Sequence, residues 1–409
     1  MRWWPSGGLW RHPNFLRLWG AQIGSAFGSR ITRTALPILA ILSLGARTTE
    51  VAVLSALSVA PGVLVGLGVG GHIDRTARRP LLITADLVRA LVLLTIPLAA
   101  WFGVLSMPQI YAVAAVVGAA TTLFQIADNS FLPVLVGQDR LVEGNAKLEA
   151  TDAIAEAAGP GLAGVLIEVL TAPLAVVIDA LSYLWSAFLL SRIRAPETPA
   201  VVDAAPSVLG DILIGLRACL AHPLIGPALI ADSVMGFFSG FFFALYMLLA
   251  LEALVLSPAT VGIIISVGGI GAFVGTMIAP PLGRLNGTGR AMALSLGLGQ
   301  AATLLIPLAL DGGALAISLL VLQQLVGDAF LVAYVIHAIS LRQRVLPPAV
   351  LGRANATFHV IPGLLLPAGA LVAGPLANVL GLSAALWIGA CGGLLAAPVL
   401  LASPLVRRR

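Results

Sequence analysis

The chain reads AAGPGLAG at residues 157–164 and PAGALVAG at residues 367–374, 210 positions later. Both stretches lie in long apolar segments, and the same offset relates identical residues from one end of the chain to the other. The pairs are His12-Pro13 and His222-Pro223, Val51 and Val261, Ser130 and Ser340, and Asn145-Ala146 and Asn355-Ala356. A register kept without net insertion indicates two like-oriented halves. Repeats of this kind, related by an axis along the membrane normal, are typical of alternating-access transporters.

The composition indicates an integral membrane protein. Hydrophobic residues make up 59% of the chain and charged residues 10%, whereas soluble domains carry about 25% charged residues. A helix needs about 20 apolar residues to cross the hydrocarbon core. Twelve such runs predict an all-α membrane protein with twelve transmembrane helices in two pseudo-symmetric six-helix bundles. They cover approximately residues 17–44, 50–71, 80–102, 108–131, 146–170, 172–192, 223–251, 257–282, 289–310, 312–338, 355–377 and 381–404.

The positive charges indicate the orientation. With both termini in the cytoplasm, most of the 23 Lys and Arg residues fall in inner loops and tails, including Arg407-Arg408-Arg409, while Arg47 falls in an outer loop. This is the distribution that sets the topology of membrane proteins. We therefore predict a multi-pass membrane protein with both termini cytoplasmic. The net charge of +5 follows from this topology and does not indicate a nucleic-acid partner.

A polar break divides the chain into three predicted regions. Residues 1–194 form an N-terminal six-helix bundle, residues 195–222 a cytoplasmic linker, and residues 223–409 a C-terminal six-helix bundle. The linker begins with a Pro- and Ala-rich acidic stretch, which is typical of an extended segment. It ends in apolar residues at helical spacing. These favour an amphipathic helix, either on the inner membrane surface or packed on the bundle ends.

The loop after the second span orders small, acidic and basic residues in a specific way, GGHIDRTARRP at residues 70–80. An acid and the arginines can pair across such a tight turn. The string resembles the signature loop between helices two and three of the major facilitator superfamily. The resemblance implies a charge cluster that latches the outward-facing state. The residues of the loop and latch here are Gly70, Asp74, Arg75, Arg78 and Arg79, with Asp128 at the inner end of span four.

The fifth span carries a second resemblance, because residues 157–164 are similar to the antiporter motif of that superfamily. The stretches LVEGNAKLE at 141–149 and ALP at 35–37 resemble its bacterial drug, macrolide and siderophore exporters. Proline removes a backbone hydrogen bond and glycines allow close packing. Gly159, Pro160 and Gly164 therefore predict a kink at a seam that can rock, with a purely structural kink as the alternative.

The chain also departs from the pattern of these relatives. Residues 109–131 contain no basic residue, although drug antiporters of this type commonly carry one in helix four. Ser29 stands where many relatives have an acid in helix one. Any proton site must therefore be assembled differently here.

Ionisable residues inside spans are candidates for function, because each costs about 3 kcal/mol or more when unpaired at the bilayer centre. The candidates are Arg30, Arg33, Glu156, Asp232 and Asp328. We expect an arginine of span one to pair with an acid lining a central cavity. Proton binding would loosen that pair and shift the inward–outward equilibrium. A fixed ion pair is the alternative.

Two further sets of polar and aromatic residues complete the predictions. Asp86 and Arg89, three positions apart, are expected to form a structural pair on one helix face. An aromatic, weakly polar cavity suits amphipathic ligands of drug size better than sugars, although half of the aromatics fit lipid-facing or packing positions equally well. The candidate cavity residues are Gln22, Phe124, Phe238, Phe242 and Gln323.

The sequence predicts a secondary transporter and not an enzyme. It contains no phosphate-cradling loop, HExxH motif or serine elbow. Cys219 and Cys391 lie far apart, so we expect no disulfide, metal site or cofactor. The expected partners are a small-molecule substrate, protons and the lipid bilayer, without nucleic acid, and the chain is expected to be a monomer. The resemblance implies proton-driven export of a drug, macrolide-like compound or siderophore across the bacterial cell (inner) membrane. Nutrient uptake and a non-transporting membrane sensor are the alternatives.

Overall fold

The computed structural model describes residues 8–73, 77–194 and 208–407, and in these ranges all regular secondary structure is helical. Short 3₁₀ turns at Gly8–Arg11 and Gln138–Arg140 precede the first and fifth long helices. Six long helices match the first six predicted spans. They are α1 (Pro13–Leu44), α2 (Thr48–Ile73), α3 (Arg78–Trp101), α4 (Met107–Val136), α5 (Leu141–Leu170) and α6 (Ala172–Ser191).

The second half repeats this order after a connecting helix. The predicted ninth and twelfth spans are each divided into two helices, near residues 303 and 395. A π-helical turn, Leu249–Ala253, extends the seventh span. The helices are α7 (Val208–Ala221), α8 (Ile225–Leu248), α9 (Pro258–Asn286), α10 (Thr288–Ala302), α11 (Leu305–Leu310), α12 (Ala316–Val345), α13 (Pro348–Leu380), α14 (Leu382–Leu394), α15 (Ala396–Leu401) and α16 (Pro404–Arg407).

Eleven helical segments in the described ranges are long and apolar enough to cross a membrane. Their outward surface is strongly apolar: Leu91, Val169 and Val379, for example, are 63%, 74% and 80% exposed. Apolar surface of this extent is favourable in hydrocarbon and unfavourable in water. The first helix, α1, is not among the eleven, since polar residues such as Arg30 and Arg33 lower its hydropathy. The all-α membrane class predicted from the sequence is confirmed.

The helices cluster into two compact units. The first comprises Met1–Leu44 and Leu57–Val208, and the second comprises Gly45–Ala56 and Leu209–Arg409. In the first unit α1 packs against α5 and α6, and α3 packs against α4 and α6. In the second unit α8 packs against α13 and α14, and α10 packs against α12 and α15. The same helix pairs therefore form in both units, in agreement with the repeat in the sequence.

The start of α2 groups with the second unit, although the sequence placed it in the N-terminal bundle. Thr49 Oγ1 accepts a hydrogen bond from Asn378 Nδ2 of α13 at 2.6 Å. Ser55 Oγ donates to the carbonyl of Phe243 at 3.2 Å. Helix α7 also belongs to this unit, where Gly215 lies against α13 and Cys219 is buried. The predicted domain boundaries at residues 194 and 223 stay predictions.

Glycines allow the helices of the second unit to approach at backbone distance. A side-chain carbon at Gly369 of α13 would overlap the carbonyl of Phe237 in α8, and one at Gly240 of α8 would overlap the carbonyl of Leu366. Gly275 of α9 meets α12 in the same way. Small residues at such contacts are the usual basis of helix packing in membranes, where no hydrophobic driving force acts between helices.

We predict that Gly369→Ala lowers the thermal stability of the purified protein in detergent. Alanine favours helix by about 1 kcal/mol over glycine, but overpacking at a backbone contact costs about 1–3 kcal/mol or more. The matched control is Gly297→Ala in α10, whose added carbon meets only Ala397 Cβ at 3.5 Å. The control should keep or raise the melting temperature. Equal stability of the two variants would contradict the close α8–α13 contact.

Candidate functional site

A polar cavity of about 260 Å³ lies in the first unit among α1, α3, α4 and α5. Ala26 and Phe124 are its apolar lining residues, and the other lining side chains carry amide, hydroxyl, carboxylate or guanidinium groups. Because such groups are costly in hydrocarbon, a cavity of this composition is suited to water and polar solutes. The lining consists of Gln22, Ser25, Ala26, Ser29, Arg30, Arg89, Thr121, Phe124, Gln125, Asp128, Asn129, Glu149 and Asp152.

Arg30 connects the cavity with an ion-pair cluster between α1 and α5. Its Nε donates to Glu156 Oε2 at 2.9 Å, and its Nη2 lies 3.5 Å from Asp152 Oδ1. Arg33, one turn further along α1, donates from Nη1 to Glu156 Oε1 at 3.1 Å. The structure thus brings three of the predicted coupling residues together. Arg30 is 18% exposed, whereas the side chains of Arg33 and Glu156 are 53% and 52% exposed.

The residues of the antiporter-like motif lie beside this cluster. Gly159, Pro160 and Gly164 are buried within α5, which runs without interruption through the proline. A side-chain carbon at Gly159 would lie 2.6 Å from Arg30 Cβ, so the glycine leaves the space along which Arg30 reaches α5. Pro160 has no N–H, so the helical carbonyl of Glu156 loses its usual donor. The motif and the ion pairs therefore occupy the same turns of α5.

Asp232 and Asp328, the other two predicted coupling residues, lie in the second unit. Asp232 of α8 accepts a hydrogen bond from the hydroxyl of Tyr334 in α12. Asp328 of α12 fills the space that Gly268 of α9 leaves open, and a side-chain carbon at that glycine would overlap its Oδ2. Each acid is thus placed at a contact between two helices of the second unit.

The structure describes some, but not all, of the residues of the predicted latch. Asp74 and Arg75 lie outside the described residues, Gly70 is near the end of α2, and Arg78 is the first residue of α3. Arg79 donates from Nε to the Leu190 carbonyl at 2.9 Å and from Nη2 to the Ser191 carbonyl. It therefore caps the last turn of α6, where carbonyl groups have no helical donor.

Asp128 of α4, the predicted acid of the latch, lines the cavity beside Gln22 of α1, within hydrogen-bonding reach of that amide. Its Oδ1 is buried and has no hydrogen-bond partner within the described residues. Asp128 therefore places a carboxylate group in the cavity wall.

The five predicted cavity residues separate into two groups. Gln22 and Phe124 line the cavity. Phe238 packs its ring on Gly392 of α14 and against Phe237 at 5.2 Å between ring centroids. Gln323 is buried in α12, and Phe242 is partly exposed on α8. The cavity role of Phe238, Phe242 and Gln323 stays a prediction.

A buried charged cluster lies next to the cavity, and the sequence predicted a structural role for its Asp86–Arg89 pair. The Asp86 carboxylate pairs with Arg89, as predicted from the spacing. The Arg89 guanidinium also lies 4.6 Å from the ring centroid of Phe124 and 4.0 Å from that of Tyr183. Asp179 of α6 belongs to the same cluster. Asp179 is an acid in an apolar span that contains no basic residue, and this was the signal that the sequence offered for a partner on another helix.

Comparison with known proteins identifies the family. The family profile described as "Transmembrane secretion effector" matches residues 8–408. The chain belongs to this family. An uncharacterised MFS-type transporter of Sinorhizobium fredii, y4rN, is 25% identical over 330 residues, which cover 78% of each chain. The chain is therefore a multi-pass transporter of the major facilitator type, as the signature loop implied.

Solved structures support the same fold. The nucleoside transporter NupG is 14% identical with a TM-score of 0.76, and the match covers 97% of this chain and 100% of that one. A bacterial homologue of the iron transporter ferroportin in its inward-facing state is 16% identical with a TM-score of 0.74, over 98% and 100% of the two chains. At these identities the likeness establishes the major facilitator fold. The drug and macrolide exporter branch stays a prediction.

We predict that the two ion pairs of Glu156 differ in strength. The Arg33–Glu156 pair is half exposed, so a double-mutant cycle with Arg33→Gln and Glu156→Gln should give about 0.2–1 kcal/mol of coupling. The cycle with Arg30→Gln should give more, because Arg30 is mostly buried. Unfolding in detergent micelles measures both cycles, and equal coupling energies would contradict the described geometry.

Proposed function

We propose that the chain is a secondary active exporter of the bacterial inner membrane, driven by proton antiport. In this proposal it acts as a monomer with both termini cytoplasmic, without enzymatic activity and without a nucleic-acid partner. The family, the antiporter-like motif at residues 157–164 and the signature loop at residues 70–80 support it. The substrate is a small amphipathic molecule of the drug or macrolide-like class, or a siderophore.

The Asp128 carboxylate in the cavity wall, one oxygen of which makes no well-formed hydrogen bond within the described residues, carries the substrate part of the proposal. A buried carboxylate oxygen without a donor is unfavourable, and an amine or another hydrogen-bond donor of a bound molecule would satisfy it. Phe124, also in the cavity wall, offers an apolar ring for the less polar part of the same molecule. Among the implied substrate classes, this arrangement favours compounds that carry an amine.

The ion-pair cluster supports a role in coupling. Glu156 holds both Arg30 and Arg33, so a proton on this carboxylate would release two contacts between α1 and α5 at once. The release would occur at the turn of α5 that Pro160 has already deprived of a hydrogen bond. Asp232 and Asp328 are the further proposed coupling sites in the second unit. Gly70, Asp74, Arg75, Arg78 and Arg79 are the proposed latch between helices α2 and α3.

Uptake of a nutrient or metabolite is the second candidate function. The fold does not fix the direction of transport, and the similar solved structures include a nucleoside transporter and a homologue of an iron transporter. Membership in a transporter family favours either direction over the non-transporting membrane sensor that the sequence left open. The direction is decided by comparing accumulation in everted and right-side-out vesicles.

We predict that Asp128→Asn weakens the export of amine-bearing compounds. A hydrogen bond to a charged group contributes about 1.5–3 kcal/mol, which corresponds to about 10- to 150-fold in apparent affinity. The assay is efflux from an efflux-deficient host, with a panel of amine-bearing and uncharged amphipathic dyes of similar size. Export of the amine-bearing dyes should fall selectively.

The controls separate binding from coupling. Asp311→Asn makes the same chemical change at an exposed position of the second unit and should leave efflux unchanged. A protonophore should stop efflux by the unaltered protein. Efflux that persists under the protonophore, in the absence of other ion gradients, would contradict proton antiport, and an equal effect of Asp128→Asn on all dyes would contradict the proposed amine contact.

A further inference from the structure

The cluster formed by Asp86, Arg89, Asp179 and Tyr183 is the most deeply buried set of charges in the described part of the chain. Asp86 and Asp179 are 0% exposed and Arg89 is 3% exposed. The cluster lies where α3 and α6 pack together, with α1 and α4 on either side. Two fully buried carboxyl groups and one almost fully buried guanidinium therefore lie in the same space.

The neighbouring helices supply no second positive charge to this space. Helix α6 and helix α4 contain no Lys, Arg or His. On α1, Arg30 is held by Glu156 and Asp152, and the group near Asp179 is the hydroxyl of Thr32. Asp128 of α4 adds a further negative group near Asp86. One cation thus serves two buried acids.

Contacts with α1 and within α6 fix the position of the Asp179 side chain. Gly28 of α1 has no side chain, and a carbon atom there would overlap both Asp179 Oδ1 and Ser182 Oγ. Ser182 donates to Asp179 Oδ1 at 3.2 Å. The second carboxylate oxygen, Oδ2, makes no well-formed hydrogen bond within the described residues, nor does Asp86 Oδ2. The Tyr183 hydroxyl likewise makes no well-formed hydrogen bond within the described residues.

The geometry points to a proton held jointly by Asp86 and Asp179 around Arg89, as a proton-binding site separate from the Arg30–Glu156 cluster. With both acids ionised the cluster would carry a net negative charge in a medium of low dielectric constant, which is strongly unfavourable. One proton makes the cluster neutral. Since the two acids face the same guanidinium, the proton belongs to the pair and not to one residue.

Arg89 also connects this site to the cavity, because it lines the cavity wall and donates from Nη1 to Thr121 Oγ1 at 3.4 Å. A cation bound at Asp128 would repel the proton of the pair, and the proton would leave as the substrate binds. This exchange step rests on the proposed function. The proton count in the cluster does not depend on it.

The test counts protonated carboxyl groups by infrared difference spectroscopy on the full chain in lipid vesicles at neutral pH. Relative to the unaltered protein, Asp86→Asn and Asp179→Asn should each lose the carbonyl band of one protonated carboxyl group. Either change leaves one acid for one arginine. Arg89→Gln should gain one such group, and the Asp86→Asn/Arg89→Gln double variant should return to the original count. Other protonated carboxyl groups form a constant background.

Asp311→Asn is the matched control and should leave the band unchanged, because this exposed acid lies in the second unit, outside the cluster. The double variant keeps the test valid if a single variant does not fold, since it removes both charges together. A band that persists in Asp86→Asn or in Asp179→Asn overturns the shared proton. A failure of the proposed export would appear in the efflux assay and would leave the infrared count unchanged, so the two proposals fail separately.

Discussion

Polar groups inside hydrocarbon need hydrogen-bond or ion-pair partners, and this requirement determines how the helices of this protein form and pack. Backbone groups satisfy one another within helices, which is why the described residues form helices throughout their regular structure. Charged side chains must find partners within a helix or between helices, and the first unit gathers them in two places. Arg30 and Arg33 meet Glu156 between α1 and α5, and Arg89 meets Asp86 between the rings of Phe124 and Tyr183. The polar cavity lies between these two clusters and shares Arg30 and Arg89 with them.

Glycines serve this constraint in two ways. They make room for polar groups, since Gly159 accommodates Arg30 and Gly28 accommodates Asp179 in the first unit, as Gly268 does for Asp328 in the second. They also bring backbones together, as Gly240 and Gly369 do between α8 and α13. The repeat preserves the order and packing of the helices in both units. The polar cavity and the two clusters of charged residues beside it lie in the first unit.

The fold was predictable because its signals are long and periodic: apolar runs, the 210-residue offset and the basic inner loops each extend over the whole chain. Parts of the site were predictable as well, since Arg30 and Glu156 are charges in apolar spans. The partner of a charge was harder to predict, because it depends on which helix faces pack. The placement of Asp179 beside Arg89 was not predicted, because the two residues lie on different helices, and neither was the packing of the Phe238 ring on Gly392. Sequence spacing gave the Asp86–Arg89 pair because both residues are on one helix, whereas Gly28 and Asp179 meet only after folding.

The position of Asp86 and Arg89 on a single helix also bears on how the protein enters the bilayer. Residues three apart on a helix are neighbours as soon as the helix forms, so the third span can leave the insertion machinery as a neutral ion pair instead of two separate charges. The sixth span has no cation of its own and carries Asp179. A lone ionised carboxylate is costly in hydrocarbon, so we expect this acid to enter the membrane in its protonated form. It can meet Arg89 only when α6 packs on α3, and assembly of the first unit would then bring the second acid and its proton to the cluster together.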